Sequence, residues 1–234
     1  MLHNTSHLYG IRLAASDGEL GHIKDFFFDD KNWVIRYLVA DTGSWLTGRQ
    51  VLISPHACGK LDLRGKILQL KLHKKQIEGS PSIDSHRPVS RQYEIEYYRY
   101  YGWPAYWDGG AMWGIGATPM PVPPSKEEME ARQPLHHRDD KHLQSVRAVT
   151  GYQIQTVDGT IGNVSGLLVD DSSWAVCEMV VETGHWYSGK QILVAPSAIE
   201  RISYEDSTVY VRLTKADIQQ TAENGLAKAS AGAH

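Results

Sequence analysis

The residues best suited to chemistry are few and poorly placed for it. The run HHRDDKH brings His136, His137, Asp139, Asp140 and His142 together, and imidazole with carboxylate is a ligand set that suits zinc or nickel. It follows a flexible stretch and has no helical ligand pair, since only His137 and Lys141 stand at i, i+4. A solvated connector is expected there. Paired carboxylates occur twice, at Asp29-Asp30 and Asp170-Asp171. Adjacent carboxylates on a hairpin point in different directions, and no His or Asn ligand set stands beside either pair, so both are expected to be turn residues. Asp25 lies amid phenylalanines and invites a catalytic reading, but 141 residues on stands Gly166, and a local structural role is expected. No Ser-His-Asp arrangement, nucleophile elbow, phosphate-cradling glycine loop or paired-cysteine motif is present. The expectation is a protein that is not an enzyme, with no catalytic residue, no cofactor and no metal.

The elements that would position any site are written twice. DTGSWLTGRQVLISP begins at Asp41 and ETGHWYSGKQILVAP at Glu182. The offset of 141 residues runs without a gap from Asp17 to Ala57, with 15 identities in 41 positions. They include Asp17-Gly18 with Asp158-Gly159, Gly21 with Gly162, Trp33 with Trp174, and Trp45 with Trp186. Farther on, ILQLKL (67–72) lies opposite TVYVRL (208–213). Such self-similarity marks a tandem duplication. Each copy is rich in strand formers. Hairpin turns are expected at 29–32 and 170–173, with strands opening at Trp33 and Trp174. WVIRYLVA and WAVCEMVV are apolar on both parities, as in strands covered on both faces. A capped helical turn is expected from Thr214. Five or so short strands in about 75 residues, with glycine at the corners, suggest a small, partly closed barrel.

A strand ending in Asp-Asp, a strand opened by Trp, then Thr-Gly-x-Trp and a strand before proline resemble the PRC-barrel family. That family is named for the cytoplasmic domain of the photosynthetic reaction centre H subunit and includes the C-terminal domain of the ribosome maturation factor RimM. The similarity covers 5–79 and 146–220. It implies a mainly β protein of two small PRC-type barrels, at 1–79 and 146–220, joined by a connector at 80–145 and followed by a disordered tail at 221–234. No counterpart of the H subunit's membrane helix or of RimM's preceding domain is expected, so the resemblance informs the fold more than the function.

The connector concentrates the aromatics. SRQYEIEYYRYYGWP reads as a helix over 91–101, capped by Ser90 and ended by Gly102 and Pro104, with Tyr93, Tyr97, Tyr100 and Tyr101 on one face. A Gly- and Pro-rich stretch follows, then a short helix near 126–132 opened by a Ser125–Glu128 capping box. Tyr and Trp offer large, rigid contact area with a polar handle. Tyr97, Tyr101, Trp103 and Trp107 are therefore the expected partner-binding residues, unless they cover a barrel core. Trp45 and Trp186, each in a loop between two glycines, are expected to fold over one barrel end or to stack on a ligand, and are counted with the expected partner-binding residues.

Composition sets the outer limits. The 234 residues are 41% hydrophobic and 22% charged with a net charge of −3, an ordinary globular composition that makes no general case for nucleic acid or anionic membrane. Residues 1–80 carry 11 Lys+Arg against 8 Asp+Glu, a net +3, and residues 141–220 carry 6 against 9, a net −3. Opposite signs on duplicated domains favour docking within a chain or in a homodimer. Cys58 and Cys177 stand at unequal places in the repeat, so reduced thiols are expected. With no signal-peptide layout and no apolar run long enough to span a bilayer, the expected location is cytoplasmic, including the periphery of the inner membrane. Three functions follow. The first is an adaptor for a protein partner, a membrane-bound complex of photosynthetic type among them. The second is an RNA- or ribosome-associated factor using Lys71, Lys74 and Lys75. The third is a small-ligand or metal sensor built on the histidine run.

Overall fold

A computed structural model describes residues 1–46, 48–80, 91–107, 111–114, 116, 118–119, 143–184 and 189–220. Trp186, Ser90, the 126–132 helix, the His136–His142 run and the 221–234 tail lie outside the described residues. No helix among the described residues is long and apolar enough to cross a membrane.

The protein is mainly β, with two seven-stranded sheets. The first copy contributes β1 (Leu2–Asn4), a one-turn helix α1 (Thr5–Leu8), β2 (Arg12–Ala15), β3 (Gly18–Asp29), β4 (Val34–Asp41), β5 (Gln50–Ile53), β6 (Cys58–Asp62) and β7 (Ile67–Leu70), then α2 (Lys74–Glu78). The connector helix α3 (Arg91–Tyr101) follows. The second copy contributes β8 (Leu143–Ser145), the helical turn Val146–Val149, β9 (Gln153–Thr156), β10 (Gly159–Asp170), β11 (Val176–Thr183), β12 (Gln191–Val194), β13 (Ile199–Ser203) and β14 (Thr208–Val211). The offset of 141 thus extends back to Leu2 and Leu143, through residues whose identities barely match.

Two compact units form. Unit 1 takes Met1, Leu8–Ser145 and Asp171–Ala175; unit 2 takes Leu2–His7, Val146–Asp170 and the chain from Val176. The unit boundaries therefore cut across the copies. In unit 1 the strand order is β5-β4-β3-β2-β7-β6, with β8 on β3; in unit 2 it is β12-β11-β10-β9-β14-β13, with β1 on β10. Among the described residues, only the β2–β7 pair in one sheet and the β9–β14 pair in the other are parallel. Against β4, register shifts bend β3 after Ile23 and after Phe27, and against β11 they bend β10 after Val164 and after Leu168; each long strand carries a third, against β2 or β9. Such bulges let one long strand pair with different neighbours along its length.

Local turn chemistry recurs with the repeat. The Asp17 carboxylate accepts the Lys74 N–H at 2.8 Å and Asp158 accepts the Lys215 N–H at 2.9 Å, so each Asp-Gly corner holds the start of its copy's last helix. Thr214 and Asp217 bond reciprocally, a capping box at the helical residues 215–220. Asp29 accepts the Lys31 and Asn32 N–H groups, each at 3.0 Å, which is its turn role.

Two expectations need correction. Trp33 and Trp174 do not open strands; Trp33 ends its turn and Trp174 directly follows its turn, with φ of 52° and 59°, and the strands begin at Val34 and Val176. A left-handed Trp is strained, and packing offsets the strain: the Trp33 ring lies 5.8 Å from Phe28, and Trp174 is buried. The central strands also differ in cover. Seven of the eight residues of β4 are buried, whereas Cys177 and Glu178 of β11 are half-exposed and Glu182 is exposed.

Candidate functional site

The connector helix belongs to unit 1 and packs on first-copy residues of β4 and β5 and the residue after β5. Its C-terminus is a Schellman motif: Gly102, at φ 67°, donates to Arg99 O, and the Trp103 N–H returns to Tyr98 O at 3.1 Å. That turn carries the chain back over the sheet. Tyr97 is fully buried; its hydroxyl donates to Leu52 O and accepts from Ser54 N–H, both at 3.0 Å. Glu94, one turn earlier, is also fully buried and accepts from the Tyr37 hydroxyl at 2.9 Å and the Tyr106 hydroxyl at 2.7 Å. Burial, with the Glu94 charge beside it, pushes the Tyr37 phenol well up, so it stays a donor.

Beside this pair lies a buried cation. Arg36 is 1% exposed and reaches Asp29 Oδ2 through Nε at 3.3 Å and Nη2 at 3.0 Å, while Nη1 donates to Met112 O. Its guanidinium lies 3.6 Å from the centre of the Tyr106 ring and 5.1 Å from that of Trp113. A planar, weakly hydrated cation suits such a place better than an ammonium would. Trp113 is fixed in turn by its Nε1 bond to Ser173 O at 2.8 Å. His56 completes the cluster, stacked on Trp103 at 5.5 Å and edge-on to Tyr98 and Trp113.

Asp29 gives this cluster a pH dependence. Burial raises its pKa, but the Asn32 side-chain bond, the Arg36 charge and further bonds outweigh it, so the carboxyl titrates below the usual value of about 3.9. A depressed carboxyl contributes stability that is present above its unfolded pKa and lost as pH falls through the folded one. The Tyr and Trp near-ultraviolet signal should accordingly hold from pH 7 to about 4.5 and decay below about 4. Asp158 and Asp217, also depressed by hydrogen bonds, act in the same direction in unit 2. A thermal midpoint that stays flat from pH 7 to 2.5 would contradict this.

The expected partner-binding residues divide by position. Tyr97 is enclosed. Tyr101, Trp103 and Trp107 are half-buried: Tyr101 stacks on Trp103 at 4.5 Å with the planes 10° apart, and Trp107 stands edge-on to Tyr98 and Tyr106 at 5.3 and 4.9 Å. The Tyr101 phenol is pushed up to about 12 by burial. The helix stripe also differs from expectation. Tyr98 is buried, while Tyr100 is 45% exposed and bonds through its hydroxyl to Gln76 O at 2.9 Å. Trp45 is half-buried under the Lys74 ammonium, 4.5 Å from its ring centre, and so stands apart from the other four. Among the described residues no group of three or more His, Cys, Asp or Glu could hold a metal ion.

Arg36, Tyr37, His56 and Glu94 escaped the sequence reading. A signal was present for three of them: at the repeat positions of Arg36, Tyr37 and His56 the second copy has Cys177, Glu178 and Ser197. The departures from the repeat mark the face that receives the connector. Comparison with known proteins brought no matching family model and no matching curated protein.

Proposed function

We propose that this chain is a non-enzymatic interaction module, in which each seven-stranded sheet forms a PRC-type barrel and the connector presents an aromatic contact surface on the first. The observation that supports this reading most is the half-buried pair Trp103 and Trp107, held on a fixed base of Tyr98, Tyr101, Tyr106 and His56. Rigid rings that keep one face packed and leave surface open lose little entropy on binding, which is what interface anchors require. The occupant would be a protein, either a second copy of the chain or a component of a larger complex, including one at the inner face of a membrane.

Replacing both Trp103 and Trp107 with Ala should weaken self-association or partner capture about thirtyfold or more, with circular dichroism unchanged. Sedimentation equilibrium and immobilised-protein capture would measure it. Unchanged mass and partners in a folded variant would remove the reading, and global unfolding would assign these rings to structure alone. An RNA-associated role has a more limited basis in exposed Lys71 and Lys75 beside Lys74 and Trp45. It would appear as capture abolished by ribonuclease and weakened steeply by salt.

A further inference from the structure

The leading strand of each copy is built into the other copy's sheet. Strand β1 pairs with β10 through Leu2↔Asp170, His3↔Val169 and Asn4↔Leu168, and β8 pairs with β3 through Leu143↔Asp29, Gln144↔Phe28 and Ser145↔Phe27. These pairings are equivalent under the 141-residue offset. Each sheet therefore had a choice between two related strands, and backbone pairing alone does not discriminate between them.

The discrimination lies where the copies differ. Both long strands carry a bulge, and the N–H just beyond it, of buried Phe26 or Leu167, needs an acceptor. In unit 1 Asp25 supplies its own Oδ1 to the Phe26 N–H at 2.7 Å, and its Oδ2 receives the Ser145 hydroxyl at 2.5 Å. At the repeat position of Thr5, 141 residues on, stands Val146, whose side chain is apolar. In unit 2 the counterpart of Asp25 is Gly166, which has no side chain to offer. The Leu167 N–H is met instead by the Thr5 hydroxyl at 3.0 Å, from a threonine that is fully buried.

Gly166 also makes room. A Cβ there would stand 2.5 Å from Asn4 Oδ1 and 3.3 Å from Thr5 Oγ1. Asn4 cannot easily turn aside, because its Oδ1 accepts the Ser6 N–H at 2.9 Å and the Ser6 hydroxyl at 2.8 Å. With the strands interchanged, Asn4 would meet the Asp25 side chain, while Leu167 would face Val146 with no acceptor. We propose that Asn4 and Thr5 with Gly166, and Ser145 with Asp25, are two non-interchangeable sets that determine which strand each unit accepts, and so enforce strand exchange within one chain. Attractive and repulsive terms act together, as specific pairing generally requires.

The test uses the full chain with Cys58→Ala and Cys177→Ala and a reporter pair, Leu2→Cys with Asp170→Cys, at directly opposed positions. Mild oxidation should give a monomer cross-linked between positions 2 and 170, identified by peptide mapping. Thr5→Val or Gly166→Asp alone should lower the cross-link yield at least fivefold. Asn4→Ser, Thr5→Val and Gly166→Asp together install the unit 1 set in unit 2, and should restore the yield to within twofold of the parent. The triple variant keeps the test decisive if a single variant fails to fold. Full yield in the single variants, or no recovery in the triple variant, would overturn the selection. Covalent dimers in place of cross-linked monomers would overturn exchange within one chain.

Discussion

Replacing Arg36 with alanine is expected to lower the stability of unit 1 by about 3–5 kcal/mol, the usual consequence of leaving one member of a buried ion pair unpaired. The Asp29–Arg36 pair is 1% exposed on both sides. Truncation would strand the Asp29 carboxylate, free Met112 O and remove the cation from the Tyr106 ring. Against a typical total of roughly 5–15 kcal/mol, that brings the unit close to unfolding. Urea denaturation followed by tryptophan fluorescence would measure it, with unit 2 as an internal reference because Cys177 occupies the equivalent position. The double variant Asp29→Asn, Arg36→Met should cost less than Arg36→Ala alone, since no charge is left buried without its partner. A loss below about 1 kcal/mol for Arg36→Ala would mean that water reaches Asp29 and that the pair behaves as an exposed one.

Gly21→Ala and Gly162→Ala are expected to be similarly damaging, and damaging to a similar degree. Both residues have φ near +150°, at 146° and 154°, a region essentially reserved for glycine. A Cβ at either would overlap a backbone carbonyl of the facing strand, that of Asp41 or of Glu182. Backbone atoms in a paired strand cannot step aside as a side chain can. Strain of about 1–3 kcal/mol and overpacking of about 1–3 kcal/mol together predict a loss of roughly 2–6 kcal/mol in the unit that carries the change. Denaturant midpoints of the two variants would check both the size and the parity. A loss confined to one variant would show that the duplicated corners have diverged in packing while keeping their geometry.

The sequence alone determined the duplication, the β character and the local corners. Those features depend on neighbours within a few residues: Asp29 receives N–H groups two and three positions on, Thr214 bonds to Asp217, and Gly102 closes the helix behind Trp103. The helix at 91–101 was legible for the same reason, although not the face it buries. Tertiary structure decided the rest, through contacts between residues far apart in the chain. Arg36 meets Met112 across 76 positions, Tyr37 meets Glu94 across 57, Asp25 meets Ser145 across 120 and Leu167 meets Thr5 across 162. A charged or polar residue inside a strand reads as solvent-facing until its partner arrives, because only the partner makes burial affordable. Tyr98 and Tyr100 differ in exposure because Tyr98 meets Tyr37, His56 and Tyr106 of unit 1, whereas Tyr100 reaches only its edge at Gln76. The exchange of β1 and β8 was the least legible feature: a repeat specifies two like strands and two like sheets, and only the packing of Asn4, Thr5 and Ser145 against Gly166 and Asp25 assigns one to the other.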